Sequence, residues 1–162
     1  MTEFIAWMQG TWLAQFMTDW QWAWPWAEVL HFIGMSILFG AVIIMDTRLM
    51  GFFRRHIPLH AVHALTPWAI AGFLINLLTG VAFLVKEGDR LLPNPSLIFK
   101  LLCVLLAGVN FLVFWFKIRK DSHGWQEDGD PPLSAKLVGA TSVLLWTLVI
   151  WAGRMIPVYG VG

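Results

Sequence analysis

Residues 57–85 read IPLHAVHALTPWAIAGFLINLLTGVAFLV, without one aspartate, glutamate, lysine or arginine. A helix rises 1.5 Å per residue, so about 20 apolar residues cross a hydrocarbon core of ~30 Å. The stretch exceeds that length and reads as a membrane span. Pro58 suits a first helical turn, where a missing N–H costs nothing. Pro67 removes a backbone donor further in and predicts a kink.

Three more stretches behave the same way. Residues 29–45 carry no formal charge between Glu28 and Asp46, giving a first span over 24–50. The second span is 58–85. Asn94-Pro95-Ser96 opens a third over 95–116, interrupted only by Lys100. The fourth, 134–154, ends on Arg154. Between spans three and four, Lys117 to Pro132 is a polar linker containing Asp128-Gly129-Asp130-Pro131-Pro132. The expected fold is all-α: an integral membrane four-helix bundle over residues 24–156, preceded by an amphipathic segment over 1–23.

Composition agrees. Hydrophobic residues make up 58% of the 162 and charged residues 13%, against roughly 45–50% and 25% in soluble domains. The net charge of +1 and the lack of a basic stripe give no reason to expect nucleic acid as a partner. The expected partners are the lipid bilayer and either a second copy of the chain or a larger membrane complex. The one cysteine, Cys103, excludes an intrachain disulfide and a thiolate cluster. No Gly-x-Gly-x-x-Gly follows a strand, and no P-loop or Ser-His-Asp constellation is present.

Six of the eleven tryptophans fall in the first 26 residues: Trp7, Trp12, Trp20, Trp22, Trp24 and Trp26. Tryptophan prefers the membrane–water boundary. Ile5, Met8, Trp12 and Phe16 recur at helical spacing and predict an in-plane amphipathic helix. Glu3 and the lack of a basic start argue against a signal peptide. Four antiparallel spans place Arg48, Arg54, Arg55, Lys117, Arg119, Lys120 and Lys136 on one side, and Lys86, Arg90, Lys100 and Arg154 on the other. The positive-inside rule puts the richer side in the cytoplasm and both termini outside, in a bacterial inner membrane.

Ionisable groups inside spans are costly and mark sites. Glu28 and His31 share one face of span one, with Met35 a turn further on. A Glu-x-x-His pair can present two ligands to a metal, and a helical histidine can ligate haem iron. The competing reading is an interfacial Glu28 and a His31 bonded to a neighbouring helix. Lys100 and Arg154 fall at a similar depth, where two cations suit haem propionates or another carboxylate. For both, the competing reading is snorkelling to headgroups. On the inner side, His60 and His63 share a face near Asp46, Arg48 and Asn110, but interfacial histidines are commonly just solvated. His31 and His63 should lie about 20 Å apart in height. One iron within a protomer therefore cannot take both.

Leu30-His31-Phe32-Ile33-Gly34, Phe39-Gly40 and Asp46-Thr47-Arg48-Leu49-Met50-Gly51 resemble a family of small bacterial four-span proteins of unknown function. Asn94-Pro95, Lys100, Ala107-Gly108-Val109-Asn110 and Gly153-Arg154 extend that resemblance. More distantly, the chain is similar to HemJ-type protoporphyrinogen oxidases and to the membrane copper-resistance protein CopD. His31, Arg48, Thr66-Pro67, Leu78-Thr79-Gly80 and Lys100-Leu101-Leu102 match HemJ-type motifs, while Asn110 stands where those proteins carry a third-span histidine. The resemblance implies a b-type haem, with His31, Lys100 and Arg48 at the matching positions, in a membrane redox protein acting on a lipophilic or porphyrin-like substrate; Arg154 joins the candidate haem-binding residues by its depth and charge. A copper- or other metal-handling protein using His31 and Glu28, with His63, His60 and Met35 as secondary donors, is the alternative. A third is a non-catalytic subunit of a membrane complex.

Overall fold

A computed structural model describes residues 2–121, 125 and 129–159. Residues 122–124 and 126–128 of the expected polar linker lie outside the described residues. The helices are α1 (Thr2–Gln9), α2 (Trp12–Asp19), α3 (Ala23–Leu49), α4 (Leu59–Lys86), α5 (Gly88–Leu91), α6 (Pro95–Val113), α7 (Arg119–Asp121) and α8 (Leu133–Met155). A π-helical turn, Phe114–Ile118, joins α6 to α7 without a break. Four helices are long and apolar enough to cross a membrane: α3, α4, the continuous 95–121 helix, and α8. The protein is an all-α membrane protein.

Local chemistry sets the ends. Pro25 sits in the first turn of α3, where its lost donor would have had no acceptor. Asn94 caps α6 by accepting from Ser96 N (2.9 Å) and Leu97 N (3.4 Å), with Pro95 opening the first turn. The Asn94 amide also donates to the Ile156 carbonyl of α8 (2.9 Å), pinning two spans at one end. Span three runs past its apolar stretch because Lys117, Arg119 and Lys120 are good helix formers. Charge there marks the edge of the hydrocarbon, not the end of the helix. α4 continues through Pro67 unbroken.

The N-terminal segment is two short helices, not one. Gly10 ends α1, and Thr11 caps α2 through Ala14 N (3.4 Å) while its hydroxyl donates to the Met8 carbonyl (2.6 Å). Ala14 and Met17 are buried, and α2 lies against α4. Lys86 donates to the Met17 carbonyl (2.9 Å) and stands 5.2 Å from the Trp24 ring centroid. The opposite face carries Trp12, Phe16 and Trp20 in a run of ring contacts at 5.8 and 5.6 Å, all exposed.

Within the bundle, α3 lies along α4, and α8 lies between α3 and α6. Lipid tails are as apolar as leucine, so span association depends on close backbone approach. The tightest approach is between Gly34 and Gly72. A Cβ on Gly72 would stand 2.6 Å from Leu38 N and 2.7 Å from the Gly34 carbonyl. Gly72→Ala should therefore push α3 and α4 apart and destabilise by about 1–3 kcal/mol, the usual range for overpacking. Gly80→Ala should change little, because an added methyl there meets nothing within 4 Å. Thermal unfolding of both variants in one detergent checks this; equal midpoints would contradict the close approach.

Candidate functional site

His31 faces α4. Its Nδ1 is hydrogen-bonded to Thr79 Oγ1 at 2.7 Å, and its ring lies 5.5 Å from that of Phe83. The Thr79 hydroxyl also lies 2.7 Å from the Ile75 carbonyl one turn back. When its proton goes to that carbonyl, the imidazole bonds through Nδ1–H and Nε2 keeps its lone pair. This is the arrangement found when a second residue orients a histidine for ligation. Phe83 in turn contacts Trp24 at 4.8 Å, and the Trp24 indole donates to Glu28 Oε1 (2.9 Å). Glu28 is exposed, bonded to this tryptophan one turn before it. Met35 is half-buried.

Lys100 of α6 is half-buried, and its charge acts on His31. No ion pair or hydrogen bond engages its ammonium among the described residues. Its stem crosses α8 at Gly153, where an added Cβ would meet Lys100 Nζ at 3.5 Å and Cε at 3.8 Å. Gly153 therefore gives the lysine room to lie along α8. Arg154, the next residue, is exposed at the end of the span. The structure thus brings together His31, Thr79, Phe83 and Lys100, with Arg154 exposed at the end of α8 and Glu28 exposed one turn before His31 on α3.

Arg48 does not belong to this group. It stands 17 positions along α3, about 25 Å away at 1.5 Å per residue. It is 1% exposed, and its Nε donates to the Ile57 carbonyl (2.8 Å), bracing the turn between α3 and α4. A single ligand cannot be held by both His31 and Arg48. His60 is exposed and His63 half-buried at the same inner end; both have partners in the protein. Nearby, Asp130 pairs with Lys136 (2.7 Å) and Arg54 (3.3 Å), tying the linker to the first turn. The Lys136 hydrogen bond holds the Asp130 carboxyl below the usual carboxylate range. Among the described residues, no three of His, Cys, Asp and Glu are grouped to hold a metal ion.

Thr79 and Gly153 were not marked by sequence reasoning as parts of a site. A usable signal existed for the first. Ala27, Gly34 and Ala41 are small, buried and seven apart on α3, which is the spacing of a helix–helix seam. His31 falls on that seam, so its partner had to come from the helix packed there.

Over residues 4–159 the chain matches a family described as "Family of unknown function (DUF6644)". The protein belongs to that family. No curated protein and no solved structure matches it. The comparisons give no evidence of similarity to HemJ-type oxidases or to CopD.

In this DUF6644 protein the tautomer is open to measurement. With 15N-labelled histidine in detergent, one ring should show a protonated Nδ1 and an unprotonated Nε2. Thr79→Val should move that ring to the Nε2–H tautomer by removing the only acceptor for Nδ1. An unchanged His31 signal in Thr79→Val would contradict the assigned hydrogen bond.

Proposed function

We propose that the protein is a b-type haem-binding membrane redox protein in which His31 would supply a nitrogen ligand to the iron. The observation that carries this reading is the His31–Thr79 hydrogen bond, which fixes the ring and leaves Nε2 as a donor atom. Lys100 supports it: a half-buried cation near that histidine, without an acceptor of its own, suits a propionate. Arg154 at the rim can hold a second anionic group. One histidine suffices for a five-coordinate haem, whereas copper needs several ligands converging. The described residues offer no such cluster, so the haem reading is favoured over metal handling.

A bound haem b would supply one-electron chemistry at its iron. The residues of this chain do the rest. Thr79 sets the tautomer and orientation of His31. Phe83 and Trp24 shield the ring from water on the α4 side. Lys100, with Gly153 beneath its stem, places a positive charge for carboxylates. The motif likeness to HemJ-type oxidases supports a lipophilic, porphyrin-like substrate. Asn110 stands where those proteins have a histidine, so the substrate class rests on the rest of the motif. The lysine and arginine distribution supports a bacterial inner-membrane orientation with both termini outside.

Two measurements test the reading. Purified parent protein should show a Soret band; His31→Ala should abolish it, and Lys100→Met should shift or weaken it without removing the iron ligand. An unchanged spectrum in His31→Ala, or no band from haem-supplied cells, would sink the ligand role and leave a subunit of a larger complex as the reading. For orientation, Arg55→Cys in a Cys103→Ser background should resist an impermeant thiol reagent in intact cells. Labelling there would reverse the topology.

A further inference from the structure

A second polar group lies in the inner half of the bundle, and the haem reading does not use it. Asp46 of α3 is 6% exposed, between helices. It is 15 positions from His31, about 22 Å along the helix. Ser142 of α8 hydrogen-bonds its side chain, but its Oδ2 is buried with no partner among the described residues. An unpaired carboxyl in a dry interior is expensive, and intramembrane acids normally have a counter-group or a ligand.

Asp46 opens onto a cleft of about 130 Å³ that touches α3, α4, α6 and α8. The walls are apolar, including Val42, Phe73, Phe111 and Trp146, and the polar side chains among them are Asp46, Asn110 and Ser142. Asn110 gives its amide proton to the Val138 carbonyl (3.1 Å), so its own carbonyl is left as an acceptor. No lysine, arginine or histidine lines the space. The site is therefore rich in acceptors and poor in donors. Ile70 of α4 and Gly108 of α6 line the cleft and are also exposed. The space thus reaches the lipid-facing surface between two helices that make few contacts with each other.

We propose that this cleft binds a lipophilic molecule carrying a protonated amine, with the ammonium on Asp46 and the apolar body among the aromatic walls. The ammonium supplies the donors that the carboxyl and the Asn110 carbonyl lack. The apolar lining and the lateral opening match a ligand that arrives through the bilayer. A bare metal ion matches neither, since the walls offer it too few oxygens. The site is independent of His31, and its test needs no haem.

The test is calorimetric titration of the full chain in nanodiscs of zwitterionic lipid, with empty nanodiscs subtracted. The probes are octylamine and octanol. An alkylammonium has a pKa near the lysine value of about 10.4, so octylamine is charged at pH 7. Octylamine should bind the parent at least about tenfold more tightly than octanol, and Asp46→Asn should remove that preference, as losing one member of a buried charge pair does. Gly108→Leu keeps the test alive if Asp46→Asn fails to fold. A Cβ there meets nothing within 4 Å, so the variant should fold with the mouth filled and lose binding of both probes. Equal affinity for octylamine and octanol in the parent would mean Asp46 is only a protonated core acid, and would overturn the proposal. So would undiminished octylamine binding in Gly108→Leu.

Discussion

The contact between Gly34 and Gly72 sets the geometry of everything around it. α4 comes this close because Gly72 has no side chain: an added methyl would stand 2.6 Å from the Leu38 backbone nitrogen and 2.7 Å from the Gly34 carbonyl. His31 is seven residues before Leu38, and Thr79 is seven after Gly72. In an antiparallel pair those equal offsets put the imidazole and the hydroxyl at one level, close enough for a 2.7 Å hydrogen bond. Wider separation of α3 and α4 would leave Nδ1 with a water or nothing. The His31–Thr79 hydrogen bond therefore depends on how closely Gly72 lets α4 approach α3.

The same pairing explains the empty side of the bundle. Because α3 is committed to α4 on one face and to α8 on another, α6 reaches the rest through α8. Gly139 helps: a Cβ there would stand 2.8 Å from the Asp46 carbonyl, so α8 comes close to α3 at the inner end. α4 and α6 are left flanking a gap. At one end of the bundle Lys100 crosses between α6 and α8; towards the other, Asp46 faces the cleft. One cation and one acid thus occupy separate depths, each without a partner of opposite charge among the described residues. Had they been level, they would have formed an ordinary buried ion pair, and neither would be available to a ligand.

Four spans could be read in the sequence because uncharged length is a one-dimensional property. Helix ends were less visible, since Lys117, Arg119 and Lys120 end the apolar run without ending the helix. The break at Gly10 and Thr11 was hidden by a hydrophobic spacing that continues across it; a threonine cap competes with helix continuation locally, and periodicity does not register that. His31 and Lys100 were visible as costly polar groups in apolar runs. Their neighbours were not. Thr79 and Ser142 are inexpensive inside a helix, because a hydroxyl can bond a carbonyl one turn back, so composition gives them no weight. Arg48 was visible for the same reason as Lys100, but its role depends on depth. A buried guanidinium bracing a turn and one holding a ligand look alike until the helices are placed.

Lys100 shows how a small residue elsewhere can decide the role of a charged one. A lysine about a turn and a half into a span can extend to the headgroups, and its four-carbon stem makes that cheap. Here the stem lies over Gly153, within 3.9 Å of where a Cβ would be. A larger residue at that position would lift the chain off α8 and send the ammonium towards lipid or water. With glycine, the charge can rest against the bundle, where it acts on His31. The costs of desolvating the ammonium are then borne whether or not an anion is present, and an arriving carboxylate recovers them. The cation is placed by a glycine on a different span, and not by the lysine alone, and under the proposed function that placement is what would receive an anionic ligand.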